Sequence, residues 1–175
     1  MKLFVVIDMQ NDFTTGALYN EDAIAVIPYI KEKLIKAKEE NDMIIFTRDT
    51  HEENYMDTME GKKLPVPHCI KNTKGHEVVD ELKEFLDDAT IFDKKTFGSI
   101  EFGMFLRDMK EKIDTIEFVG VCTDICVISN VMMAKAVMPN AEIIVDAKGC
   151  AGVTKDAHNT ALDAMKACHI DIINE

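Results

Sequence analysis

Arginine is nearly missing from this chain: Arg48 and Arg107 are the only two among 175 residues, against 32 acids and a formal net charge of −12. With no basic stripe to track a phosphate backbone, the charge pattern argues against nucleic acid as a partner. No run reaches the ~18 uninterrupted apolar residues a bilayer-spanning helix needs, so no membrane partner is expected. The start, Met1 to Asp8, ends its short apolar run in an acid with no small-residue cleavage site behind it, which leaves no targeting signal to read. Cysteines 69, 122, 126, 150 and 168 are odd in number and contain no CxxC pair, against both a disulfide framework and an all-cysteine zinc site. A reducing, cytoplasmic setting is the expectation. Internal repeats, low-complexity tracts and Pro/Gly linkers are also missing, and 47% hydrophobic residues suffice for a full core, so residues 1–175 are expected to form a single domain.

What is present is an alternation of strand-length apolar runs with helical patterns. Strands are predicted at 3–7, 43–47, 90–92, 115–121, 142–145 and 170–173, and most are continuous rather than alternating, as doubly buried strands should be. Helical periodicity marks 22–40, 76–86, 100–112, 124–137 and 155–168, with Asp, Asn or Thr near several starts as caps. This order predicts an α/β fold of the Rossmann-like kind: a three-layer αβα sandwich around a six-stranded, mostly parallel sheet. Ligands of such sheets bind outside the carboxyl ends of the strands. The residues to weigh are therefore Asp8, Arg48 to His51, Lys94, Cys122 to Cys126 and Asp146. The irregular stretch 51–74, with Gly61, Pro65, Pro67 and two histidines, is too long for an ordinary connection and is read as functional.

Gly120-Val121-Cys122-Thr123-Asp124-Ile125-Cys126-Val127 carries a buried strand into a helix through a tight turn. Cys126 then falls in the first helical turn, where the helix dipole and free NH groups favour a thiolate and lower its pKa. The backbone amides of Cys122 and Cys126 are the candidate oxyanion donors, each worth roughly 3 kcal/mol. The competing reading of Cys126 is a small buried apolar residue; Cys150, Cys168 and the Cys122 side chain keep that reading. Asp8, ending the first strand, is the candidate proton carrier, or else a turn residue. A cation beside thiolate and carboxylate would hold both charged, and Lys94 or its neighbour Lys95 can supply it.

Asp49 and His51 alternate after the second strand, and an i, i+2 pair in extended chain projects to one side. With His68 they offer one carboxylate and two imidazoles, a set that suits a divalent transition ion with open positions. Two exposed histidines and a capping aspartate would explain the same residues. His76, His158 and His169 have no visible partner ligand and are read as surface or structural.

Four segments together resemble the isochorismatase-like cysteine hydrolase family, and within it the nicotinamidase branch: Asp8-Met9-Gln10-Asn11-Asp12-Phe13, Asp49-Thr50-His51, Pro67-His68-Cys69 and Thr123-Asp124-Ile125-Cys126-Val127. The resemblance spans nearly the whole chain. It implies a triad of Asp8, Lys94 and Cys126, one divalent metal ion on Asp49, His51 and His68 (zinc, with iron or manganese as alternatives), and a cis peptide before Cys122 that orients the oxyanion amides. Gly98-Ser99-Ile100 takes the place of the Ser/Gly-Ala-Phe stretch that follows the family lysine, a register that favours Lys94 over Lys95. The chain departs from the branch in having no tryptophan: Asp49-Thr50-His51 replaces Asp-Trp-His, and Leu64-Pro65-Val66-Pro67-His68 replaces Trp-Pro before the histidine. The implied activity is hydrolysis of a small amide, nicotinamide to nicotinate and ammonia, through a thioester on Cys126, with Phe13 packing on the ring. A homo-oligomer is expected. Alternatives are a relative acting on another small amide or carbamoyl compound, vinyl-ether hydrolysis of the isochorismatase type, which has no evident use for Cys126, and a noncatalytic metal-binding module.

Overall fold

In the computed structural model, which describes residues 1–175, the apolar runs become six strands: β1 (Lys2–Ile7), β2 (Met43–Asp49), β3 (Thr90–Lys94), β4 (Thr115–Val121), β5 (Glu142–Ala151) and β6 (Asp171–Ile173). All pair in parallel, in the order β3-β2-β1-β4-β5-β6. The sheet is thus parallel throughout rather than mostly parallel. Alternate residues of β1 face opposite layers, as the period of two requires. Leu3, Val5 and Ile7 pack with Phe102 and Leu106 of α3 (Ile100–Met109), Val131 and Ala134 of α4 (Ile128–Val137), and Leu162 and Met165 of α5 (Lys155–Ala167). Phe4 and Val6 pack with Ile27, Ile30 and Leu34 of α1 (Glu21–Glu39) and with Leu82 and Phe85. A short helix, α2 (Met59–Lys63), interrupts the long loop after β2.

Two helical expectations are corrected. Residues 76–86 do not form one helix but end one 3-10 turn, Lys74–His76, and contain another, Asp80–Phe85. Between them the chain is extended, because it pairs with the segment after β1: the amide of Val79 donates to the carbonyl of Met9 at 3.0 Å and that of Asn11 to the carbonyl of Glu77 at 3.0 Å. The helical periodicity there came from Val78, Val79, Leu82 and Phe85, which are buried without a continuous helix. The second correction concerns 124–137, whose first turn, Thr123–Val127, is a wide π turn before α4 begins. The carbonyl of Cys122 accepts there from the amides of both Ile125 and Val127.

Strand order reverses between β1 and β4, which opens a crevice at their carboxyl ends. Register brings the chemistry to that edge. Ile7 pairs with Thr47 and with Gly120, so Asp8 and Cys122 lie close beyond the paired residues, while Asp49 pairs with Lys94 directly. Asp146, weighed above as a strand-end residue, lies inside β5 opposite Ile173 and is bonded by Tyr29 and Asn174, away from the crevice. Gly120 has a φ of 121°, and a Cβ on it would run into the carbonyl oxygen of Ile7. Only glycine meets both demands. Replacing Gly120 with Ala should therefore cost roughly 2 kcal/mol or more, read as a lower urea midpoint at unchanged slope. An Ala variant as stable as the parent would show that β1 and β4 do not approach this closely.

Candidate active site

Asp8 leaves β1 with a φ of 49°, in the left-handed region, which swings its carboxylate into the crevice rather than along the ladder. Its Oδ1 accepts from the Thr47 hydroxyl at 2.7 Å, and its Oδ2 lies 2.6 Å from the ammonium of Lys94. That same ammonium is 3.4 Å from Asp49 Oδ1 and 3.6 Å from Cys126 Sγ. Lys94 is 1% exposed and Asp8 fully buried, so the cluster is shielded from water. Lys95 points the other way, exposed and 3.4 Å from Glu52. Of the two lysines left open by their residues alone, only Lys94 faces the crevice.

Burial sets the electrostatics. It pushes the Asp8 carboxyl up, with Lys94 opposing and Asp49 assisting. The Cys126 thiol is likewise pushed well up by burial and by the Asp8 carboxylate, with Lys94 pulling it down. This direction is opposite to the lowering expected from a helix end. Burial works against the charge of Lys94, but Asp8, Cys126 and Asp49 hold its pKa above the ordinary lysine range.

On the other side of Asp49 a second cluster forms. Asp49 Oδ2 is 3.0 Å from His51 Nε2 and 3.3 Å from His68 Nε2, and Glu60 Oε1 lies 3.6 and 3.7 Å from the same two nitrogens. All four donor atoms fall within 4.8 Å of one another. A tetrahedral ion with bonds of 2.0–2.2 Å separates its donors by roughly 3.3–3.6 Å, so the spacing fits. His68 Nδ1 donates to the carbonyl of Val66 at 2.8 Å, which leaves Nε2 directed at the cluster. Burial notwithstanding, hydrogen bonds from His51 and His68 and the charge of Lys94 hold the Asp49 carboxyl well below the usual range. Glu60, in α2, was not among the residues singled out in the sequence. Its only signal is a position inside the irregular loop, on a helical turn capped by the Thr58 hydroxyl at 3.0 Å from the Gly61 amide.

Both clusters border one cavity of about 530 Å³, lined among others by Phe13, His68, Cys122, Ile125 and Cys126. Phe13 sits edge-on to His68 with ring centroids 5.6 Å apart. The peptide bond between Val121 and Cys122 is cis, and the Cys122 amide donates to no backbone carbonyl. His76 is buried against the Thr50 hydroxyl at 2.8 Å, and His158 bonds the Thr123 hydroxyl at 2.7 Å. Both are structural partners of the site's loops rather than ligands. No helix is long and apolar enough to cross a membrane.

Known proteins resemble this chain along its whole length. The Isochorismatase domain matches residues 2–174. The nicotinamidase of Saccharomyces cerevisiae is 25% identical, with all of both chains covered. Among solved structures, the pyrazinamidase of Pyrococcus horikoshii in complex with zinc is 28% identical at a TM-score of 0.83, covering 99% of each chain. The pyrazinamidase/nicotinamidase of Streptococcus mutans is 27% identical at a TM-score of 0.87, covering 99% of this chain and 100% of the other.

Of the two histidines in the second cluster, His68 gives the metal-free protein a pH dependence. Burial lowers the His68 pKa, but its bond to Asp49 and the Val66 carbonyl raise it further, so the folded value lies above the unfolded one near 6.5. Stability from this pair is therefore complete below about pH 6.5 and is lost as pH rises through the raised value. His76 and His158, which burial shifts down, act in the opposite sense. The measurement is accordingly a difference: urea unfolding of chelator-treated parent and His68→Gln across about pH 5.5–9 should show the parent's advantage shrinking as pH rises. A constant difference would mean that His68 does not carry a proton to Asp49.

Proposed function

The chain belongs to the isochorismatase family, and we propose that within it the protein is a nicotinamidase-type amidohydrolase, converting nicotinamide to nicotinate and ammonia with Cys126 as nucleophile. The observation that carries this reading is the shared contact of Lys94 with Asp8, Asp49 and Cys126, where Asp49 and Cys126 line a cavity together with Glu60 and His68 of the His51-containing donor cluster. A plain core cysteine has no need of a buried carboxylate and ammonium beside it.

Asp8 takes the thiol proton as sulfur attacks the carboxamide carbon, and the backbone amides of Cys122 and Cys126 receive the developing oxyanion. Collapse of the tetrahedral adduct breaks the C–N bond, with Asp8 passing its proton to the departing ammonia and a thioester left on Cys126. Asp8 then removes a proton from water as it attacks the thioester. Departure of the carboxylic acid product returns the proton to sulfur. Lys94 stays charged throughout and holds Asp8 in place. Asp49, His51 and His68, with Glu60 as a fourth donor, would hold a divalent ion, zinc by the chemistry of the set. When bound, the ion supplies a Lewis acid for the ring nitrogen of the substrate. Phe13 offers an apolar face to the ring.

Replacing Cys126 with Ala should lower ammonia release from nicotinamide by at least ~1000-fold while metal content and melting temperature stay near those of the parent. Turnover at a comparable rate would end the nucleophile assignment. Chelation should weaken nicotinamide binding and slow turnover but leave Cys126 open to iodoacetamide. Full activity in protein shown to be metal-free by elemental analysis would remove the ion from the reaction.

A further inference from the structure

Gln10 is fully buried, lies two residues past Asp8, and is claimed by neither cluster. Its side-chain amide nevertheless uses every donor and its acceptor within a short span. Oε1 accepts from the Asp49 amide at 2.7 Å, and Nε2 donates to the Asp49 carbonyl at 2.8 Å and to the His76 carbonyl at 2.8 Å. The reason lies in the ladder between β1 and β2. Its last backbone bond runs from the Asp8 amide to the Thr47 carbonyl at 3.2 Å. Continued further, a parallel ladder would have Asp49 donate to the carbonyl of Asp8 and accept from the amide of Gln10. Asp8 turns away instead, with its φ of 49°, and the Gln10 amide closes back on the Asp8 carbonyl at 2.7 Å. Both backbone groups of Asp49 on that side would be left buried and unpaired, at a cost for each. The Gln10 side chain takes over both bonds.

We infer that Gln10 is a positioning residue: it substitutes for the missing strand so that β1 can release Asp8 into the crevice while β2 keeps Asp49 fixed. Asp49 is the one side chain shared by the two clusters, with Oδ1 toward Lys94 and Oδ2 toward His51 and His68. Any rotation of its backbone is thus transmitted to the donor set. The third bond, to the His76 carbonyl, ties the same point to the loop whose His76 ring holds Thr50, between Asp49 and His51. Asparagine is one methylene short of this span. Methionine matches the shape of glutamine without its hydrogen bonds, and glutamate keeps an acceptor for the Asp49 amide but faces two carbonyls with no donor.

This inference rests on the metal reading proposed above, and its test separates the two. Chelator-stripped parent, Gln10→Met, Gln10→Glu and a Val131→Ala control, destabilised in the core on α4 and outside both clusters, are titrated with zinc against a chromophoric competitor. The expected result is a zinc dissociation constant raised at least ~10-fold in both Gln10 variants and unchanged in the control. Equal zinc affinity in folded Gln10→Met and parent would overturn the positioning role, as would an equal loss in the control matched for melting temperature. Failure of the parent itself to bind zinc would overturn the metal reading and the inference with it. Should neither Gln10 variant fold, hydrogen exchange of the Gln10 side-chain NH₂ in the parent decides: protection comparable to the neighbouring sheet amides supports the clamp, and free exchange refutes it.

Discussion

A single buried ammonium, that of Lys94, organises the crevice. It touches Asp8 at 2.6 Å, Asp49 at 3.4 Å and Cys126 at 3.6 Å while itself 1% exposed. Two carboxylates this deep would each cost several kcal/mol if left unpaired, and they would also repel one another. With one cation between them, Asp49 stays ionised and Asp8 sits at a raised pKa. The backbone is arranged to deliver this geometry. Asp49 and Lys94 are register partners on β2 and β3, Asp8 follows β1, and the cysteine turn follows β4, so adjacent strands of a parallel sheet present their ends to one point. The switch in strand order beside β1 leaves the space into which all of them project.

The second cluster depends on a loop, and loops hold ligands poorly unless their own side chains order them. Here several do. The His51 amide donates to the Cys69 carbonyl at 3.0 Å, and Asp12 accepts from the Cys69 amide at 2.7 Å, which locks the turn carrying His68 to both neighbouring strand ends. Tyr55 is buried behind the two imidazoles, with centroids 4.7 Å from His51 and 5.1 Å from His68, and its hydroxyl donates to the Leu64 carbonyl at 2.9 Å. Without tryptophan in the chain, this tyrosine supplies the aromatic wall of the donor cluster. The loop is irregular but tied at several points by backbone bonds, among them His51 to Cys69, Lys71 to His51 and Leu64 to Glu60.

What the sequence made legible follows from this division. Strands and their order class could be read because doubly buried strands are continuous apolar runs, and residues just past them were therefore the right places to look. Asp8, Asp49, Lys94 and Cys126 were found in that way. Glu60 was not, because its approach to His51 depends on how a 3-10 turn and a short helix fold back, and no periodicity encodes that. Gln10 sat inside a quoted segment without a role, since its function is to replace hydrogen bonds whose absence appears only once Asp8 is seen to leave the ladder. The helix expected over 76–86 failed because its apolar spacing is equally satisfied by two turns flanking an extended pairing with Met9 and Asn11.

The state of the thiol was misjudged for a related reason: position in a helical turn is visible in sequence, and burial is not. A surface helix end would favour the thiolate, but at Cys126 desolvation and the Asp8 carboxylate outweigh Lys94 and push the thiol up. That outcome suits the chemistry better than a standing thiolate. A free thiolate next to ionised Asp8 would place two anions against one cation and leave no base with work to perform. Burial instead raises the carboxyl as well as the thiol, and a carboxylate of raised proton affinity is a stronger base for the thiol proton. Lys94 enforces this by stabilising one negative charge wherever it resides, on the oxygen before proton transfer or on the sulfur during it. The cation that makes burial of Asp8 tolerable is thus also the group that lets its proton affinity serve Cys126.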